Sequence, residues 1–150
     1  MSNTNKVLVV DDSKVYLQML LDKLSEKGMQ ISQAKDGQEG LDKALAEKPD
    51  LVILDVVMPG MDGFAMLEKL RSDSWGENVP VVMLSGLTHP RNSNKAKTDK
   101  NLIYLVKEDC KPDDIAELSF QISQMLQYMT ETNLKISDVL VKAKQKLGLK

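Results

Sequence analysis

The stretch that decides the fold lies near the start of the chain, where residues 7–13 read Val-Leu-Val-Val-Asp-Asp-Ser. Four apolar residues in a row, three of them β-branched, are typical of a strand buried on both faces in a parallel sheet. Ser13 can cap a following helix, and Gly28 is placed to end it. Apolar residues keep helical spacing between them, at Leu17, Leu20, Leu21 and Leu24. The stretch therefore predicts the first strand and helix of an α/β domain.

The same alternation continues along the chain. Four further apolar runs are predicted strands, namely Met29 to Ala34, Leu51 to Leu54, Val79 to Leu84 and Leu102 to Val106. Because strands and helices alternate throughout, the pattern predicts a single doubly wound α/β domain with right-handed crossovers.

Predicted helices lie between these strands. Asp36 and Glu39 form a capping box for the second helix, and Pro112 fits the first turn of the last one. The inward-facing apolar residues are Leu41, Ala44 and Leu45 in the second helix and Met66, Leu67 and Leu70 in the third. Residues 88–101 contain Ala96 as their only aliphatic residue, so a helix there has almost nothing to pack against the sheet. We expect it to be short, irregular or mobile.

Composition excludes several classes of protein. The chain has 150 residues and a formal net charge of −2, which gives no general basic field for nucleic acid or anionic lipid. Its single cysteine, Cys110, excludes an internal disulfide framework and a cysteine-rich zinc site. The apolar runs are far shorter than the roughly 20 residues of a membrane helix, and the N-terminal residues do not resemble a signal peptide. We therefore expect no membrane association and a cytoplasmic location.

Chemically capable side chains follow four of the predicted strands. They are Asp11 and Asp12, Asp55, Ser85 and Lys107. Taken singly, each is more often a helix cap, a turn residue or a solvated lysine. Parallel strands end at one edge of the sheet, however, and ligands of such sheets bind at that edge. The coincidence of four strand ends therefore predicts one site that contains three carboxylates, a hydroxyl and an ammonium.

Three neighbouring carboxylates repel one another unless one takes up a proton or a cation joins them. Mg²⁺ prefers oxygen ligands of this kind and leaves positions open for phosphoryl oxygens. A carboxylate can also act as a nucleophile toward phosphorus, and the new charge then needs a cation and a hydroxyl donor beside it. This chemistry assigns Asp55 as the nucleophile, with Lys107 and Ser85 as the groups that stabilise the acyl phosphate.

With these residues assembled, the chain from about Lys6 to Gln127 resembles the receiver domain of bacterial two-component response regulators, and in particular the chemotaxis-regulator type. The pair Asp11-Asp12 and the loop from Asp55 to Gly63, DVVMPGMDG, match the motifs of that family. The resemblance implies a five-stranded flavodoxin-like (βα)5 sheet with strand order 2-1-3-4-5.

The resemblance also implies roles for individual residues. Asp55 is the expected phosphoacceptor and takes part in the metal site, in which Asp12 binds Mg²⁺ directly and Asp11 binds it through water. The backbone carbonyl of Val57 is the expected third protein ligand. The phosphoryl donor is a sensor histidine kinase or a phosphotransfer protein, and the domain catalyses only its own phosphorylation and dephosphorylation.

A conformational switch is implied as well. Ser85 lies 30 positions after Asp55, and Lys107 a further 22, which are the family's spacings for its switch hydroxyl and its lysine. Tyr104, three residues before Lys107, occupies the position of the switch aromatic. Phosphorylation is then expected to change a face that an unknown downstream protein binds.

The sequence departs from the family pattern at two places near this site. Glu108 follows Lys107 where the family usually has a cis proline, so we expect the loop around Lys107 to be displaced. Gly86 replaces the commoner alanine after the switch hydroxyl. Together with the polar segment before Asn101, Glu108 keeps open an alternative, a pseudo-receiver scaffold that works without phosphorylation.

Two other classes of protein fit less well. A phosphatase with an aspartate nucleophile needs a second acid two residues later, where this chain has Val57. A flavin or dinucleotide domain needs a first loop that is rich in glycine or hydroxyl groups, whereas this loop is acidic.

We divide the chain into a receiver domain over residues 5–127 and a helical extension or tail over residues 128–150. Apolar residues in 3–4 alternation continue from Ile115 to Ala143, which fits one long helix or two helices separated near Thr132. Such an extension suits homodimerisation or docking on a partner, and the alternative is a solvated tail. It has no room for a helix-turn-helix, so we expect no DNA binding by this chain.

Overall fold

A computed structural model describes residues 5–86, 98–127, 129 and 135–149. Five strands form one parallel sheet in the order β2-β1-β3-β4-β5. They are β1 (Lys6–Val10), β2 (Gln30–Ala34), β3 (Leu51–Asp55), β4 (Val81–Ser85) and β5 (Leu102–Val106). All five predicted strands are present, and the flavodoxin-like strand order is confirmed.

Five α-helices flank the sheet within the described ranges. They are α1 (Lys14–Glu26), α2 (Gly37–Glu47), α3 (Gly63–Arg71), α4 (Pro112–Gln127) and α5 (Ile136–Lys146). A 3₁₀ turn, Lys107–Asp109, links β5 to the segment before α4. The polar helix expected between β4 and β5 falls largely on residues 87–97, which lie outside the described residues.

The sheet has a hydrophobic core on each face, as a doubly wound fold requires. Apolar residues of α1, α4 and α5 pack with alternate sheet residues on one face, and those of α2 and α3 pack on the other. The central strands β3 and β4 are buried at every position, which explains their unbroken apolar sequences. The polar site is therefore confined to the strand ends.

The first turn of α2 differs in two details from the prediction. Asp36 accepts a hydrogen bond from the Glu39 backbone N–H at 2.8 Å, but the Glu39 carboxylate accepts from Lys35, one residue before the cap. The capping box is therefore only half formed. Leu45 is 36% exposed, so its predicted inward orientation is wrong. The buried stripe of α2 includes Gly40, where an added Cβ would lie 2.8 Å from Val10 of the sheet, and Leu45 lies beside that stripe.

The C-terminal extension forms a second helix, separate from α4. Its residues Val139, Leu140 and Ala143 are buried in the same core as α1, α4 and β5. At these three positions, the apolar spacing that suggested homodimerisation or docking on a partner serves packing within one chain. The domain boundary after residue 127 stays a prediction. No helix in the described ranges has the length and hydropathy of a membrane span.

Candidate functional site

The ends of the strands bring the predicted site residues to one edge of the sheet. Asp11 follows β1, Asp55 is the last residue of β3 and Ser85 is the last residue of β4. Lys107 follows β5 directly. Because the strands are parallel and in register, with Asp55 beside Leu84 and Ser85 beside Val106, these side chains share one end of the sheet.

Three carboxylates form the centre of the site. One oxygen from each of Asp11, Asp12 and Asp55 lies within 4.8 Å of the others. Asp11 and Asp55 are buried, whereas Asp12 is exposed. Asp11 also has a contact within its own loop: its Oδ1 accepts a hydrogen bond from the Ser13 backbone N–H at 2.9 Å. The start of α1 thus fixes Asp11 while Asp12 remains open to solvent.

Lys107 supplies a side-chain cation to this cluster. Its Nζ lies 3.1 Å from Asp11 Oδ2 and 3.3 Å from Asp55 Oδ1. The Lys107–Glu108 peptide is trans, and the chain turns there through a 3₁₀ turn in which the Cys110 N–H donates to the Lys107 carbonyl. We expected the loop around Lys107 to be displaced. The Lys107 ammonium nevertheless reaches both carboxylates, because its side chain is long and flexible.

The electrostatics of the cluster favour a further cation. Burial raises the pKa of Asp55 to about 6, and the negative charge of Asp11 raises it as well. The ammonium of Lys107 opposes this shift without cancelling it. Since three carboxylates face one lysine, the donor set and its charge fit a hard divalent cation such as Mg²⁺.

The predicted switch residues lie on β4, which adjoins the strand of Asp55, and on β5, the next strand beyond it. Ser85 is fully buried at the end of β4. Tyr104, on β5, stacks on Phe64 with ring centroids 6.3 Å apart, and its hydroxyl is buried with no hydrogen-bond partner among the described residues. Val57, the expected carbonyl ligand, is in the loop after β3 with an exposed side chain.

Sequence reasoning missed one residue of this site. The ammonium of Lys107 lies over the ring of Tyr16, 4.2 Å from the ring centroid. Burial raises the pKa of Tyr16 to about 12, with a further contribution from the charge of Asp11. The available signal was an aromatic residue in the first turn of the helix that follows the acidic pair.

Comparison with known proteins agrees with this geometry. The family model of the response regulator receiver domain matches residues 7–119. Response regulator PleD of Caulobacter vibrioides is 40% identical over 82 residues, which cover 55% of this chain and 18% of that protein. Protein RcaC of Microchaete diplosiphon is 36% identical over 123 residues, covering 82% of this chain and 18% of that protein. The matched part of the chain is thus less than a fifth of the length of these relatives.

The solved structures extend the likeness to three dimensions. Chemotaxis protein CheY4 of Vibrio cholerae has a TM-score of 0.68 and 33% sequence identity, over 83% of this chain and 97% of that one. Because the family model covers most of the chain and the acidic cluster lies where its motifs predict, the chain belongs to the response regulator receiver domain family.

Proposed function

We propose that this chain accepts a phosphoryl group on Asp55 from the phosphohistidine of a sensor kinase or phosphotransfer protein, as a receiver in a two-component phosphorelay. The observation that carries the proposal is the position of Asp55 at the end of β3, buried among two other carboxylates and 3.3 Å from the Lys107 ammonium. A carboxylate held beside a cation is suited to nucleophilic attack on phosphorus.

In the proposed reaction, a carboxylate oxygen of Asp55 forms a bond to phosphorus while the phosphorus–nitrogen bond of the donor breaks. The imidazole leaves with the bonding electron pair and takes up a proton. Lys107 then pairs with the new phosphoryl oxygens, and we expect the hydroxyl of Ser85, at the end of the neighbouring strand β4, to donate to them. Positioning and charge neutralisation therefore account for most of the catalysis.

Asp11, Asp12, Asp55 and the carbonyl of Val57 would hold Mg²⁺, which supplies positive charge to the oxygens of the phosphoryl group in transfer. Without that charge, the carboxylates repel both one another and the incoming phosphoryl group. Burial, and after it the charge of Asp11, raises the pKa of Asp55. We therefore propose that phosphorylation depends on Mg²⁺.

We propose that the chain catalyses reactions of its own Asp55 only. It turns over its own acyl phosphate and acts on no separate substrate, and the output passes to a downstream protein. Formation of the dianion biases the packing of Ser85 and Tyr104, and the partner binds the state that results. Among the described residues the hydroxyl of Tyr104 has no hydrogen-bond partner, which is compatible with a second position of this side chain.

Intact-mass measurement tests the proposal. The protein is incubated with acetyl phosphate with and without Mg²⁺, and a gain of about 80 Da marks a phosphoryl adduct. We expect the adduct in wild type with Mg²⁺ and its loss in Asp55→Asn. Asp42→Asn, which changes an exposed carboxylate on α2, is the matched control and keeps the adduct.

The competing scaffold function makes the opposite prediction. Glu108, where a proline is usual, is the observation that favours it. If folded, Mg²⁺-saturated wild type takes up no phosphoryl group, the phosphorylation proposal fails and the chain acts as a binding module.

A further inference from the structure

We propose that the ring of Tyr16 positions the Lys107 ammonium for phosphoryl transfer, so that Tyr16 is a positioning residue of the site. This inference rests on the proposed function, because it assigns Lys107 a place in the phosphorylation of Asp55. Tyr16 lies outside the acidic pair, the phosphoacceptor loop and the switch pair. Its contact with Lys107 joins the first turn of α1 to the residue that follows β5.

The contact between the two side chains has the geometry of a cation–π interaction. Lys107 Nζ lies 4.2 Å from the centroid of the Tyr16 ring, well inside the roughly 6 Å range of such contacts. The same ammonium is 3.1 Å from Asp11 and 3.3 Å from Asp55. Because the Lys107 side chain is only 21% exposed, the ring and the two carboxylates together account for much of its surroundings.

The ring is fixed more firmly than the lysine. Tyr16 lies in the first turn of α1, where its backbone N–H donates to the hydroxyl of Ser13, the helix cap. Leu17 and Leu20 anchor the next turns in the core, and the Tyr16 ring packs against that core. A lysine, in contrast, has a flexible four-carbon side chain. The ring therefore acts as a fixed surface against which the ammonium is held.

Such a surface matters most where the loop itself gives little restraint. Lys107 begins a short 3₁₀ turn that continues into Glu108, and its carbonyl accepts from the Cys110 N–H at 3.3 Å. The carboxylate contacts change during the reaction, since Asp55 becomes an acyl phosphate and Asp11 lies in the metal cluster. The attraction of the neutral ring persists through both changes and keeps the ammonium beside Asp55.

Phosphorylation rates with acetyl phosphate and Mg²⁺ test the inference. Tyr16→Phe keeps the ring and is expected to react at the wild-type rate. Tyr16→Leu and Tyr16→Met remove it, and we expect both to react about 3- to 10-fold more slowly. Phe120→Leu is the matched control. Phe120 on α4 also contacts a lysine, with Lys27 Nζ 5.6 Å from the centroid of its ring. It packs against the same core as Tyr16. That control is expected to keep the wild-type rate.

A second measurement needs no phosphorylation. Protons held over an aromatic face resonate upfield, so the ε-methylene protons of Lys107 are expected upfield of those of other lysines in unphosphorylated wild type and in Tyr16→Phe. The shift is lost in Tyr16→Leu. A merely structural role of Tyr16 would lower stability without this pattern of ring-dependent shift and rescue by phenylalanine.

The two measurements separate the failures. If wild type shows no upfield shift, or if the ring-less variants react as fast as wild type, the role of Tyr16 is refuted while Asp55 phosphorylation stands. If wild type takes up no phosphoryl group, the proposed function fails, and the chemical shift still decides whether Tyr16 holds Lys107.

Discussion

At the residue scale, Asp55 combines two opposing demands, since a nucleophile must be ionised and burial disfavours its charge. Its pKa is raised from 3.8 to about 6, chiefly by burial and then by Asp11. A raised pKa means that the folded state binds the proton more tightly than the unfolded state. Stability is therefore lost as the pH rises from about 4 to about 6, and it stays lower above that range.

Asp55→Asn removes this dependence. In metal-free buffer at about pH 7.5, we expect the variant to be more stable than wild type by about 1–3 kcal/mol, because the buried negative charge is gone. At about pH 4.5 most of this difference is gone, because Asp55 is then largely protonated in the folded state. Urea denaturation at both pH values measures the difference.

Added Mg²⁺ is expected to reverse the order at about pH 7.5, since a ligand that binds only the folded state stabilises it by mass action. Wild type gains stability with Mg²⁺, whereas Asp55→Asn gains less because one ligand carboxylate is missing. A variant less stable than wild type in metal-free buffer at both pH values would contradict the assignment of uncompensated charge to Asp55.

The residues at the strand ends could be predicted because topology alone brings them together. A parallel sheet places the residues after β1, β3, β4 and β5 at one edge, whatever the details of packing. Tyr16 could not be predicted in the same way, because its contact with Lys107 depends on how α1 is rotated and on the path of the loop after β5. Leu45 was predicted wrongly for a similar reason, as it lies just beside the buried stripe of its helix.

At the scale of elements, the end of α3 is tied to the strands that follow it by one side chain. The Arg71 guanidinium pairs with Asp99, with Nε 2.8 Å from Oδ2, and both side chains are largely buried. It also donates to the backbone carbonyls of Gly76, Val79 and Asn101. One arginine thus satisfies acceptors in the connections before β4 and before β5.

Arg71→Ala is therefore expected to lower the free energy of unfolding by about 2–4 kcal/mol, since it leaves the Asp99 carboxylate and several carbonyls without this donor. Thermal and urea denaturation measure the loss. Lys69→Ala, an exposed change on the same helix, is the control and is expected to alter stability by less than about 0.5 kcal/mol. Equal effects of the two changes would show that the Arg71 contacts do not hold these connections in place.

Helix boundaries with a local chemical signal proved predictable, including the end of α1 before Gly28, whereas the limits of the interval between α4 and α5 did not. Ser13 caps α1, and Pro112 begins α4, because local chemistry determines these positions. The end of α4 at Gln127 and the start of α5 at Ile136 are not visible in the apolar spacing. Both helices bury residues in the same core, so the 3–4 pattern continues across the interval between them.

At the scale of the whole molecule, the C-terminal helix α5 adds to the cover on one side of the sheet. Among the described helices, α2 and α3 pack on one side, whereas α5 joins α1 and α4 on the opposite side. Strand order and the doubly wound architecture could be predicted because they follow from alternation and resemblance. The position of α5 could not, since an amphipathic helix beyond the last strand can pack on its own domain, on a second copy or on a partner.

Whether α5 is part of the folding unit is decided by adjacent residues with opposite exposure. Leu140 is 2% exposed in the core shared with β5 and α4, whereas its neighbour Val141 is 54% exposed. Leu140→Ala is expected to lower the free energy of unfolding by about 2–4 kcal/mol, through lost apolar burial and the cavity left behind. Val141→Ala, the matched control, is expected to cost less than about 0.5 kcal/mol.

The form of the unfolding transition distinguishes an integral α5 from a separate tail. If residues 5–149 unfold together, Leu140→Ala shifts the whole urea transition measured by circular dichroism and leaves it as a single step. If residues 128–150 are instead a separate tail, as the boundary after residue 127 implies, the main transition stays at its wild-type midpoint in both variants. In the first case α5 is an integral part of the receiver fold, because removing α5 would expose the core that it shares with β5 and α4.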